Sequence, residues 1–201
     1  MNTNKKEIII IVISVLIFAY VTSFSSLSLN KFIISCLFAA IILLTNIFAK
    51  KLMAWKRGYS AETNFWHMQR YGIYPQNKFK HPAPLGVILP IIFSIISLGG
   101  IKFLALTETK IEKTKARTKY RFLYEERDVW RILGCGVLAN LVLTILGLYL
   151  NLPELAKYSA YFAFWNMLPI SQLDGNKMLF SSKLVWLILT ILSVLFLLVV
   201  M

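Results

Sequence analysis

The sequence predicts an all-α integral membrane protein, on three observations. Its 201 residues are 58% hydrophobic and only 15% charged, more apolar surface than one soluble core could bury. The apolar residues gather in about six hydrophobic segments, 8–27, 32–49, 84–106, 132–150, 155–168 and 183–201, and a bilayer-crossing helix takes roughly 20 such residues. Charge gathers mainly in two stretches: of 22 basic residues, seven fall within 50–80 and nine within 102–131. The chain reads as a single polytopic domain over 1–201, without internal repeats.

The first segment follows Lys5 and Lys6 and precedes small residues at 23–26, which is also the layout of a signal peptide. The second begins so soon afterwards, across a short turn at Asn30, that a helical hairpin is simpler. Basic stretches at 50–83 and 107–131 belong in the cytoplasm by the positive-inside rule, together with the N-terminus. Lys31 and Lys157 are left for the outer side, with the C-terminus. Two cytoplasmic stretches require an even number of crossings between them, and a single span at 84–106 breaks that count. This segment is therefore expected to re-enter, with Pro90 and Gly99-Gly100 as its breaks, because irregular backbone at membrane depth is tolerated where protein covers it. Its length argues instead for an ordinary span.

The net charge of +13 would suit a phosphate backbone. Juxtamembrane cations beside an anionic leaflet account for it more simply, and Tyr120, Phe122, Tyr124 and Trp130 suit interfacial anchoring. Membrane lipids are the expected partners, and nucleic acid is not. Cys36 and Cys135 match no metal or redox spacing and read as packing residues.

The most informative stretch is 166–175, Asn-Met-Leu-Pro-Ile-Ser-Gln-Leu-Asp-Gly. An acid at the edge of an apolar segment is expensive unless a cation, hydrogen-bond donors or water meets it. Pro169 should stop the preceding helix, and Gly175 should let the backbone turn behind Asp174. A loop that only caps a helix is the plainer alternative.

Asn166, Pro169, Leu173, Asp174 and Gly175 resemble the N-x-x-P-x-x-x-L-D-G signature of the site-2 protease family, intramembrane zinc metalloproteases. Gly136 and Asn140 match that family's G-P-x-x-N element, with Val137 in place of proline, and Ala61-Glu62 is like archaeal members. The similarity covers about 45–180. It implies a site-2-protease-like core, a short β-rich loop to which weak alternation over 101–109 could correspond, and Asp174 as a zinc ligand. The family's H-E-x-x-H places two histidines at i and i+4 on one helix face with a glutamate as general base. That motif falls here on Asn46-Ile47-Phe48-Ala49-Lys50, so the histidines and the glutamate are missing.

Three functional expectations follow from the resemblance. The first is a non-catalytic homologue that binds transmembrane segments or a membrane partner through a cleft lined by Asn140, Asn166 and Pro169, with no cofactor. In it Lys50 is expected to pair with Asp174, Asn46 lying on the same face; the alternative is that Lys50 snorkels to the headgroups. The second is an active zinc endopeptidase with unconventional ligands, His67, His81 and Asp174, and Glu62 as base. The third is a structural or lipid-interacting membrane protein.

Overall fold

A computed structural model describes residues 5–24, 28–70, 78–113 and 126–201. The chain is mostly helical, and four helices are long and apolar enough to cross a membrane: Lys5–Ser23, Leu29–Arg57, Arg127–Tyr149 and Lys183–Val200. Lys115, Tyr120, Phe122 and Tyr124 lie outside the described residues.

Helices α1 (Lys5–Ser23) and α2 (Leu29–Arg57) form the antiparallel hairpin that the closeness of the first two segments implied. At the open end of the hairpin Lys51 Nζ lies 2.7 Å from Glu7 Oε2, both side chains buried. Helix α2 runs eight residues past the end of its apolar segment, through Lys50 to Arg57. Gly58 stops it in the left-handed region at φ 80°, its N–H directed at the carbonyls of Ala54 and Trp55, a conformation glycine adopts without steric penalty.

Strand β1 (Tyr59–Phe65) starts at once and pairs antiparallel with β4 (Thr107–Lys113), from Tyr59 opposite Lys113 to Phe65 opposite Thr107. A second two-stranded sheet joins β2 (Met68–Arg70) to β3 (Lys78–Ala83). Extended structure thus falls later than the weak alternation over 101–109 suggested, and it has a partner in the basic stretch after α2.

The β1–β4 register decides the geometry of the third apolar segment. Because Phe65 and Thr107 are partners, the chain between them leaves one end of the sheet and returns to it. Among the described residues only α3 (Leu85–Ile96), 12 residues long, is helical there; at 1.5 Å per residue it covers about 18 Å, well short of the roughly 30 Å hydrocarbon core. Pro90 does not break it but sits buried inside the helix. The reversal comes at Leu98 and Gly99, both with positive φ, and the return through 101–106 is non-helical.

Helices α4 (Glu126–Tyr149), α5 (Pro153–Asn166), α6 (Asp174–Ser181) and α7 (Lys183–Val200) complete the bundle. At 14 residues α5 is also too short for a straight crossing, about 21 Å. It is buried on most sides, with Phe162 packed against Phe18, Ile42 and Leu43 of the hairpin and Ala163 against Leu133 and Val137 of α4. By contrast α7 buries only Leu189 and Ser193. Several element ends share one end of the bundle: Glu7 meets Lys51, Arg57 lies 3.4 Å from Asp128 at the start of α4, and the Trp130 N–H donates to Ser181 Oγ before α7 begins.

Candidate functional site

One face of α2 carries the site. Asn46 and Lys50, one turn apart, are 1% and 4% exposed, and they face Gly136 of α4 at a distance only glycine permits. A Cβ at Gly136 would collide with Cγ and Cε of Lys50 and crowd Nδ2 of Asn46. The Lys50 side chain is thereby directed inward along α4. Its Nζ lies 2.5 Å from Oδ2 of Asp174.

Asp174 is the first residue of α6, and its approach depends on the residue behind it. Gly175 is not a turn glycine; it lies within the helix, where a Cβ would run into the backbone of Met167 and the Leu168 carbonyl. Its missing side chain lets α6 fold back against the end of α5. Helix α5 ends at Asn166 with Met167 as its C-cap, just short of Pro169, whose ring would clash with the carbonyl four residues back if the helix continued.

Asp174 is fully buried and well supplied with donors. Oδ1 accepts from the Thr109 N–H at 3.1 Å and Oδ2 from Thr109 Oγ1 at 3.2 Å. One helical turn on, Lys177 Nζ donates to the Thr109 carbonyl at 2.7 Å. Asp174 and Lys177 together tie the outward edge of β4 to α6. Burial pushes the Asp174 carboxyl upward, but Lys50, Lys177 and the Thr109 N–H together outweigh it and hold the group below its ordinary 3.8. Next to it, burial raises the Glu108 carboxyl, opposed by Lys177 and by the backbone and charge of His67.

The asparagines predicted to line a cleft are buried, and parts of them lack partners. Asn140 is 0% exposed with neither Nδ2 nor Oδ1 hydrogen-bonded, while Asn46 Nδ2 and Asn166 Oδ1 are also unpaired. Buried amide atoms are ordinarily satisfied by protein, water or a ligand. Asn166 spends its Nδ2 on the Phe162 carbonyl, and Ser159 and Thr144 both donate to the backbone carbonyl of Asn140, leaving its side chain aside. Pro169 is exposed in the loop, and Ile47 is buried at 8%.

His67 and Glu62 make other contacts. His67 Nδ1 hydrogen-bonds the Phe65 carbonyl at 2.5 Å; His81 lies in β3, its side chain outside the described residues. Glu62 stands opposite Lys110 on the exposed face of β1. Among the described residues no group of three or more His, Cys, Asp or Glu side chains could hold a metal ion. Thr109 and Lys177 are the site residues that sequence reasoning missed. Lys177 carried a signal, standing three residues after Asp174 on one helix face.

Fold and site define a mostly helical chain with four membrane-crossing candidates and a buried lysine–aspartate pair between α2 and α6. No family model, curated protein or solved structure matches the chain.

Proposed function

We propose that this protein is a non-catalytic homologue of the site-2-type intramembrane proteases, an integral membrane protein that binds a transmembrane segment or another membrane partner through a polar cleft. One observation carries the proposal. The Lys50 ammonium lies on Asp174, with Asn46 one turn away, on the helix face where the resemblance requires two imidazoles. A zinc ion there would meet a positive charge instead of neutral ligands, and Asp174 supplies only one of the three protein ligands a catalytic zinc needs. The unpaired amide atoms of Asn46, Asn140 and Asn166 are buried, so they would meet a partner's backbone only where the surrounding helices part to admit it.

Metal content tests this directly. Protein purified in mild detergent should contain no stoichiometric zinc by elemental analysis, whereas the double variant Asn46→His, Lys50→His should gain about one zinc per chain, lost again on Asp174→Asn. Zinc bound one-to-one by the unaltered protein through Asp174 would overturn the proposal.

The proposed orientation has the N-terminus and both basic stretches in the cytoplasm and the C-terminus outside. Support comes from the shared bundle end of Glu7, Arg57, Asp128 and Ser181, and from the register that sets Tyr59 opposite Lys113. Cysteines placed at Lys56 and Lys113 should label from the same face of sealed vesicles, and one at Met201 from the other.

A further inference from the structure

The buried amides of α2 and α4 belong to a pattern of turns that runs past the ion pair. The two helices pack antiparallel: Ala54 shares a cluster with Ile132, Lys50 lies against Gly136 one turn along, and the next turn brings Asn46 level with Asn140. Asn46 Nδ2 lies close to where a Cβ of Gly136 would stand, so its amide leans toward α4. Both helices are apolar enough to cross a membrane, where polar groups must be satisfied internally.

These two side chains are enclosed, Asn46 at 1% exposure and Asn140 at 0%. Even so, Asn46 Nδ2 and both Nδ2 and Oδ1 of Asn140 have no hydrogen-bond partner among the described residues. The Asn140 backbone carbonyl offers no relief, because Thr144 Oγ1 at 3.0 Å and Ser159 Oγ at 2.8 Å already occupy its two lone pairs. A donor and an acceptor thus stand at one level on facing helices without meeting. The ligand that closes such a gap is water, which takes part in about 2–4 hydrogen bonds when buried.

We infer that a buried water binds between α2 and α4, accepting from Asn46 Nδ2 and donating to Asn140 Oδ1, with Asn140 Nδ2 left to hold a second. Enclosure and charge select this ligand. Nothing larger reaches side chains so little exposed, and Asp174, the carboxylate of this face, has its oxygens engaged by Lys50 and Thr109 rather than free to hold a cation. The two small residues at the contact, Gly136 and Ser159, leave the room that bulkier side chains would fill. Water joins the helices by bonds that can be remade, unlike the apolar packing around it. The inference concerns the closed bundle and stands with or without a partner segment.

Nuclear magnetic resonance of the full-length protein in detergent, carrying isotope-labelled asparagine, tests it. The side-chain amide protons of Asn46 and Asn140 should show cross-peaks to water that change sign between the laboratory and rotating frames, the mark of a held water rather than of proton exchange. Asn151, exposed in the turn after α4, should show exchange alone. Asn140→Leu should remove the water contact from Asn46, and Asn46→Leu should weaken it at Asn140. Since one shared water is lost in either variant, each should melt about 4 °C lower and the double variant little lower still. The measurement on the unaltered protein decides the matter even if a variant fails to fold. A direct contact between the Asn46 and Asn140 amides with no water signal, or melting temperatures raised in both single variants, would overturn the inference.

Discussion

Lys50 and Lys51 are neighbours on α2, both are buried, and each meets a carboxylate, yet the two ion pairs are built differently. Lys51 joins Glu7, which sits in the first turn of α1 and also accepts the Thr63 N–H at 3.0 Å. The positive end of the α1 dipole already favours that carboxylate, so this pair fastens a hairpin whose ends meet anyway. Lys50 joins Asp174, whose other donors come from β4 and whose own position depends on α6 folding back on α5. The comparison teaches that identical side chains one residue apart can serve as a local fastener and as the centre of a site, according to how many elements must arrive for the partner to be there.

Unequal costs of breaking the pairs would sharpen that contrast. Lys50→Met should destabilise by about 3 kcal/mol because it strands a buried carboxylate, and adding Asp174→Asn should recover much of the loss. Unfolding in detergent across the double-mutant cycle reads this; additive, small effects would place the ammonium away from the acid. Lys51→Met should cost less, about 2 kcal/mol, since the helix terminus and Thr63 remain with Glu7. Equal losses in the same assay would erase the distinction. Gly136→Ala should cost about 1–2 kcal/mol by overpacking against Lys50 and Asn46, leaving the Lys51 pair intact, and cross-linking between α1 and α2 would show whether that hairpin is unperturbed.

The smallest effect is in pH. The folded Asp174 carboxyl titrates below its ordinary 3.8, so its contribution is complete above the unfolded value and is lost as pH falls through the folded one. The melting temperature should therefore decline below about pH 4, and this component of the decline should vanish in Asp174→Asn. A decline of the same size in both proteins would assign it to other groups.

Asp174 and Lys50 were legible in the sequence because one sits in a string of constrained neighbours and the other keeps an i, i+4 spacing to Asn46. Glu7 was not. Between Lys6 and an apolar run it reads as one more charge at a helix start, and its partner emerges only from the register of the α1–α2 hairpin. Strand β1 was hidden for a different reason: its buried positions are Tyr59, Ala61 and Thr63, and alanine and threonine give no apolar alternation to detect. In β4 the alternation over 101–109 hinted at extended structure, but the burial of Glu108 and Thr109 gave no sign because Asp174 and Lys177, which meet this strand, lie far along the chain. Length and charge conflicted over 84–106, and the conflict marked a segment that forms a 12-residue helix followed by a non-helical return.

The separation of the two pairs along the chain also sets an order of assembly. Glu7 and Lys51 are 44 residues apart, so the first hairpin can lock once α2 has been made. Lys50 must wait for a partner 124 residues downstream. Through synthesis of the third apolar segment, α4 and α5, the Lys50 ammonium stands without its acid, and a chain interrupted there carries an uncompensated charge on the α2 face that the finished fold buries. Docking of α6 is the event that brings the acid to it, and the stretch from Met167 to Leu173 is what lets α6 reach back to α2.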